Sequence, residues 1–501
     1  MTAKNMPETV LVTGAGIAGL FTALALFPTG RDILLLERDG PPPEGDVDLV
    51  FNDWKRRGVG HLRHSHAFLA RLRAALEAHP ALMDDLRAAG VREISFADML
   101  PPNLKAAYVE DPGDHALGVL TSRRTTLELV IRRFVERQAN VRIQSDVFVD
   151  GLILEPATEG PPRVVGLKGR EAGSDVEHER EWRADVVVDA AGRSTQLFDW
   201  LAEAGVTVAE AEEDAGILYY TRHYRLRPGV AEPSREGAPP ATGDLGFIKY
   251  GLFNADAGWF SITLAVPEIE AELRAAIVGP DTFQQVCQLL PGIARWTDPA
   301  VSEPMTKVFG MGDLRSRWRS LLAEGQPLVL GLFAIGDGLV RTNPLYGRGT
   351  SFAAVEAEAL RAALDGSDDP ARRLARYQVK IDSDLRPFYE DMLRQDRSAI
   401  RRAANARNPD HKPGLRARLL SSFAQDGVGV ALRTDIDTLR AALRGFHMLD
   451  APTDWLKKPR HMGPVLASWA KGKRRNAAHY PPKLGPGRAE MFSEIGLAEA
   501  I

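Results

Sequence analysis

The stretch TVLVTGAGIAGLFTALALFPTGRDILLLERD (9–39) constrains this chain more than any other. It predicts a strand, a tight turn, a helix, a second turn and a second strand. Gly14, Gly16 and Gly19 form G-x-G-x-x-G between the runs VLVT and LFTALAL. The three glycines serve, in turn, the tight turn itself, close approach of backbone to a pyrophosphate, and close helix–strand packing. The helix N-terminus then offers unpaired N–H groups and the positive end of its dipole to the phosphates. Glu37 ends the second strand, DILLLE, eighteen residues after Gly19, where a ribose-binding acid belongs. A carboxylate there prefers a ribose with free hydroxyls and repels a 2′-phosphate. Arg38 follows it and joins the candidate cofactor-binding set. The unit is the start of an α/β domain for NAD or FAD.

A second stretch, far along the chain, separates those two. GDGLVRTNPLYGRG (336–349) follows the apolar run PLVLGLFAI (327–335), read as a buried strand, and precedes the helix-like TSFAAVEAEAL. It places Asp337 at the strand end, then Pro344, and then a turn bracketed by Gly347 and Gly349 with Thr350 behind it. A nicotinamide enzyme needs no second nucleotide element at this distance. FAD is longer: a carboxylate can accept hydrogen bonds from its ribitol hydroxyls, and N–H groups at a helix start can meet the pyrimidine edge of its ring. Asp337 is therefore assigned to the ribitol and residues 347–350 to the ring.

At 501 residues and 44% hydrophobic content the chain can bury a large core in two or three domains. With 67 acids against 63 bases its net charge is −4, which gives no bulk attraction to nucleic acid. A lone cysteine, Cys287, excludes internal disulfides and reads as a core residue. The N-terminal residues lack a signal-peptide pattern, and no apolar run of about 18 residues occurs. The expectation is a cytoplasmic protein without a membrane span.

On these motifs the chain resembles the flavin-dependent aromatic hydroxylase superfamily, the group containing p-hydroxybenzoate hydroxylase. GDGLVRTNPLYGRG is similar to that family's G-D…P…G-x-G element. ADVVVDAAGRSTQLFDWL (184–201) resembles its second motif, except that the acid–glycine pair stands as Ala191–Gly192, with Asp189 two positions earlier. RRGVGHLRHSHAFLARL (56–72), LTSRRTTLELVIRR (120–133), YYTRHYRL (219–226) and FHMLDAP (446–452) resemble bacterial natural-product monooxygenases and epoxidases related to squalene epoxidase. The matches run from residue 9 to about 460.

The resemblance implies a Rossmann-like FAD-binding domain with a mixed-sheet substrate domain and a helical C-terminal region. The FAD domain spans 1–200, with a segment near 60–110 inserted toward the substrate, and returns over 326–370. The β-rich substrate domain spans 201–325, and helices fill 371–501. The implied activity is insertion of one oxygen atom of O2, through a flavin C4a-hydroperoxide, into a hydrophobic small molecule or natural product of secondary metabolism. Hydroxylation and epoxidation both fit. FAD is non-covalent. Electrons come from NADH or NADPH docking transiently, or from a partner flavin reductase, and the Ala191–Gly192 departure leaves these two open. A flavin halogenase and a reductase or dehydrogenase of an isoprenoid-type substrate are the alternatives, and the W-x-W-x-I-P element of halogenases is absent.

Arg124, opening the helix-like RTTLELVIRR, matches the family arginine that reaches the FAD backbone, and its R-x-x-L spacing selects it over Arg123. Arg63, His64 and His66 in RHSHAF are implied to lie against the flavin and are the catalytic candidates. Without a cysteine or H-E-x-x-H partner the two histidines do not read as a metal site. GDLGFIKYGLFNADAGWFSITLAV (243–266) alternates as strands do, and supplies Trp259 as a substrate candidate beside Tyr220 and Arg222. Alternation puts Tyr220 and Arg222 on one strand face and Tyr219 on the other. The loop PGVAEPSREGAPPATG (228–243) reads as a hairpin excursion or a lid, and KGKRR (471–475) as a solvated basic run.

Overall fold

In the computed structural model, which describes residues 7–157, 159–171, 179–235, 238–408 and 410–497, the opening unit folds as its pattern dictates. Strands Thr9–Thr13 and Asp32–Leu36 pair in parallel and flank the buried helix Ile17–Leu26. Val141–Gln144 extends the sheet on one side, and Val186–Asp189 then Leu332–Ala334 on the other, all in parallel. These strands are apolar on both faces because both are covered, by helices and by the antiparallel sheet Val147–Glu155, Arg163–Glu171, Arg180–Arg183, whose Val164, Leu167 and Trp182 join the same core. Helix Arg124–Glu136 packs on helices Ile17–Leu26 and Pro80–Ala88, and Gly349–Asp365 packs on Ile17–Leu26.

The apolar run 327–335 is not one strand. Gln326–Pro327 pairs with Leu322–Ala323, and only Leu332–Ala334 enters the parallel sheet. Gly331 divides the run: its φ is +73°, and a Cβ there would stand 2.4 Å from the Val164 carbonyl oxygen.

The substrate-side sheet is antiparallel, in the order Thr242–Asp244, Lys249–Asn254, Trp259–Pro267, Ile217–Leu226, Ser302–Pro304, with Phe309–Met311 also on Ile217–Leu226. One face carries its own core with helices Ala271–Ile277 and Pro280–Leu289, including the fully buried Cys287. The other face looks toward the parallel sheet. Between the two sheets lies the segment bearing the histidines, followed by strand Ala67–Phe68 and helix Ala70–Glu77. Helix Pro370–Arg407, 38 residues long, packs on helix Gly349–Asp365 beside the parallel sheet, and shorter helices follow it. Residues 471–475 lie on helix Pro459–Arg475, kinked at Gly472. In the loop 228–243, Arg235 donates to Asn254 Oδ1 at 2.5 Å and Glu232 pairs with Arg92, while Glu236 and Gly237 lie outside the described residues. Among the described residues no helix is long and apolar enough to cross a membrane.

Candidate active site

A cavity of about 640 Å³ runs from the glycine turn to the face of the antiparallel sheet. At one end it is lined by Gly14, Gly16, Glu37, Arg38 and Arg124, in the middle by Asp337, Pro344, Gly347, Gly349 and Thr350. At the other end Leu69, Met99, Val119, Phe253, Met311 and Leu314 make an apolar chamber beside His64 and His66.

The three glycines differ in what demands them. Gly14 has φ +90°, and a Cβ would meet the Ala190 carbonyl oxygen at 2.6 Å. A Cβ on Gly19 would lie 2.0 Å from the Gly14 carbonyl oxygen, so helix and turn touch there. Gly16 caps the helix with no side-chain cap, and its Cβ would find only Arg56 Nη2, at 3.7 Å. Its bareness faces the cavity.

Glu37 is buried and already engaged. Its Oε2 accepts the Ala15 N–H at 2.7 Å and Arg56 Nη2 at 3.2 Å, and its Oε1 accepts the Asp39 N–H at 2.9 Å. It therefore locks the glycine turn as well as lining that end of the cavity. Arg56 opens the stretch 56–72, where nothing in the sequence assigns it a role. It sits buried among Glu37 at 3.2 Å, Asp39 at 3.5 Å and Glu128 at 2.8 Å. Burial opposes its charge, but the carboxylates of Glu128, Glu37 and Asp39 prevail and hold it above the ordinary arginine value. Arg124 shares Glu128, at 3.2 Å, and its Nη1 lies 3.5 Å from His66 Nε2. Arg123 turns the other way, onto Asp256, with its guanidinium 4.5 Å from the Trp259 ring.

Asp337 follows Gly336, whose φ is +71°. Burial pushes its carboxyl up, and the charges of Arg341, Arg124, Arg193 and Arg317 pull it back. Behind the turn, Glu356 accepts the Gly336 N–H at 2.5 Å, and burial lifts its carboxyl to about 8. Asp337→Ala is expected to fold normally and to lose about 1.5–3 kcal/mol of FAD binding, the worth of a hydrogen bond to a charged group. Isothermal titration of FAD into stripped protein reads this, and wild-type affinity would make Asp337 a mere strand-end acid.

The turn 343–347 is tied from three directions. Asn343 Oδ1 accepts the Leu345 N–H at 3.0 Å and the Tyr219 hydroxyl at 2.6 Å. Asp396 Oδ1, on the long helix, accepts Asn343 Nδ2 at 2.9 Å and the Tyr346 hydroxyl at 2.8 Å. Burial pushes the Asp396 carboxyl up to about 6. A folded-state value above the unfolded one means stability is lost as pH rises from about 4 to about 6. Asp396→Asn keeps an acceptor without the charge. Its unfolding free energy, relative to wild type, should therefore rise over that window by up to about 2 kcal/mol and stay level above it. Urea titrations at pH 4, 5 and 7.5 check this, and a gap that does not change with pH would refute it.

Some candidates fall elsewhere. Arg63 donates to the carbonyls of Phe51 at 3.0 Å and Asn52 at 2.7 Å and does not line the cavity. Tyr220 and Arg222 occupy the sheet face away from it, Tyr220 in the second core and Arg222 on the Thr306 and Pro280 carbonyls. Trp259 is 3% exposed and packs with its ring tilted against Phe51 and edge-on to His223. Alternation separates Tyr219 from Tyr220 and Arg222 as expected, but the cavity-side face carries Tyr219 and Thr221. His61, not a candidate from sequence, also lines the cavity, and burial together with Arg124, His66, His64 and Arg193 holds it well below the usual histidine value. Among the described residues no group of His, Cys, Asp or Glu is placed to hold a metal ion.

Parallel sheet, glycine turn and returning Gly336–Gly349 segment give the chain a fold shared with solved monooxygenases and halogenases. It resembles p-nitrophenol 4-monooxygenase PnpA from Pseudomonas putida DLL-E4, at 18% identity and a TM-score of 0.56 over 89% of this chain and 98% of that one. The myxobacterial chondrochloren halogenase CndH gives 16% and 0.56 over 88% and 97%. P. aeruginosa PqsL in complex with 2-aminobenzoylacetate gives 14% and 0.55 over 79% and 98%. No family model matches the chain. In sequence, protein Rv3254 of Mycobacterium tuberculosis (strain ATCC 25618 / H37Rv) is 31% identical over 381 residues, covering 72% of this chain and 73% of that protein. The chain belongs to the family of protein Rv3254.

Proposed function

We propose that this protein is an FAD-dependent monooxygenase that inserts one oxygen atom of O2 into a hydrophobic small molecule. The observation that carries the reading is the continuous cavity joining a bare glycine turn to an apolar chamber. The residues fit FAD: Gly16 leaves room that a Cβ would fill, and the helices starting at Ile17 and Gly349 lack side-chain caps and point free N–H groups inward. Arg124 would hold the pyrophosphate, Glu37 the adenosine ribose, Asp337 the ribitol and residues 347–350 the pyrimidine edge. Once reduced, the bound flavin supplies activation of O2 and transfer of one oxygen atom. The protein's own part is to place the substrate against the ring and to exclude water, which the aliphatic side chains of the chamber do.

The test is direct. Denatured protein should release intact FAD, and an apolar arene or alkene turned over under 18O2 should gain one labelled oxygen. FMN, or no flavin after reconstitution, would overturn the reading; halide incorporation would move it to the halogenases, whose W-x-W-x-I-P element this chain lacks. Anaerobic mixing with NADH or NADPH separates the electron sources. Bleaching of the flavin band by either assigns direct reduction, and its absence with substrate bound assigns a partner flavin reductase.

A further inference from the structure

His64 is 7% exposed and borders the cavity where the segment 64–69 passes the Gly347 turn. Its Nδ1 lies 2.9 Å from Thr221 Oγ1. From there a chain of hydroxyls continues: Thr221 Oγ1 to Thr263 Oγ1 at 2.7 Å, Thr263 Oγ1 donating to Ser65 Oγ at 2.8 Å, and Ser65 Oγ donating to Ser261 Oγ at 2.7 Å. The sheet makes this possible, since Thr221 and Thr263 are directly opposite across two strands and Ser261 shares the Thr263 face.

A serine or threonine hydroxyl has one hydrogen to give. Ser65 gives its hydrogen to Ser261 and Thr263 gives its hydrogen to Ser65. In the Thr221–Thr263 pair the donor must then be Thr221. Its hydrogen is thereby used, so at His64 the donor must be the ring, through Nδ1–H. Burial lowers the His64 value to about 4, so the ring is neutral at pH 7. A neutral imidazole protonated at Nδ1 carries a bare lone pair at Nε2.

Building on the monooxygenase reading, we infer that His64 is a specificity-determining residue: its ring, fixed in the Nδ1–H form by the Thr221–Thr263–Ser65–Ser261 chain, presents Nε2 to accept a hydrogen bond from an O–H or N–H of the substrate. The substrate class is an apolar arene or polycycle with a hydroxyl or amine donor. Thr221 is a positioning residue, acting through His64.

Two measurements on the full-length protein test this. Ring-15N NMR of histidine-labelled protein, with the His64 signals identified by their loss in His64→Phe, should show Nδ1 protonated and Nε2 bare at pH 7. It should do so with or without FAD, so this arm stands apart from the cofactor reading. Thr221→Val should shift His64 toward the Nε2–H form; an Nε2–H ring in the wild type would overturn the inference. Second, FAD-loaded protein is titrated with 2-naphthol and with 2-methylnaphthalene, which differ in one hydroxyl, following the flavin spectrum. The wild type should favour 2-naphthol by about tenfold. His64→Phe and Thr221→Val should reduce that preference to under about threefold, and His64→Gln, whose amide oxygen can stand near Nε2, should keep part of it. Equal binding of the two probes, or binding of neither, would overturn the inference, as would a His64→Phe protein whose main loss is FAD affinity, since Nε2 would then serve the flavin.

Discussion

Gly16→Val should give a folded protein that no longer retains FAD, with affinity reduced at least about a hundredfold, or about 2.7 kcal/mol. The backbone at Gly16 is extended, φ −78° and ψ −172°, which any residue adopts. Its nearest neighbour for a Cβ is the end of a flexible arginine, at 3.7 Å. A Cβ therefore fits without a backbone clash and the fold bears only the poorer N-cap of valine, while two added methyl groups occupy the place where a pyrophosphate would meet the helix N–H groups. Gly19 is the control. A side chain there would strike the Gly14 carbonyl oxygen, 2.0 Å from the Cβ position, so Gly19→Val should fail to fold. Circular dichroism and flavin content after reconstitution separate the two. A Gly16→Val protein that stays yellow would remove the pyrophosphate from this turn.

The second large effect is at Arg56. Arg56→Met should lower unfolding free energy by about 3–5 kcal/mol, as removing one partner of a buried ion cluster does. The loss comes from leaving Glu37, Asp39 and Glu128 close together with Arg124 as the remaining cation on Glu128. FAD affinity should fall with it, because Glu37 is what fastens the Ala15 N–H of the glycine turn. Adding Glu128→Gln should restore part of the stability by reducing the three crowded carboxylates to two, which a structural defect of any other kind would not show. Urea unfolding of the single and double variants is the measurement, and a loss under about 1 kcal/mol in the single variant would place these charges in contact with water instead.

What the sequence by itself determined is local. The glycine turn, its two strands and Glu37 lie within residues 9–39, and the periods of strand and helix together with the torsional needs of Gly14 are written in consecutive residues. The same holds for Asp337 and the Pro344–Gly349 turn, where strand end, turn and helix start follow one another. Tertiary structure alone decided three other things. A period of two says that Tyr219 and Tyr220 face opposite ways but not which of them faces the cavity side; that depends on which side the parallel sheet packs, and it turned Tyr219 onto Asn343 and Thr221 onto His64, behind the cavity lining. In RHSHAF the arginine and both histidines are candidates, yet the fold spends Arg63 on the Phe51 and Asn52 carbonyls and leaves His64 and His66 at the cavity. Arg56 gathers acids from positions 37, 39 and 128, and the hydroxyl chain at His64 draws on residues 65, 221, 261 and 263. Pairings over such separations leave no local pattern, because the energy that selects them is the burial of two sheets against one another, and it exists only once they have met.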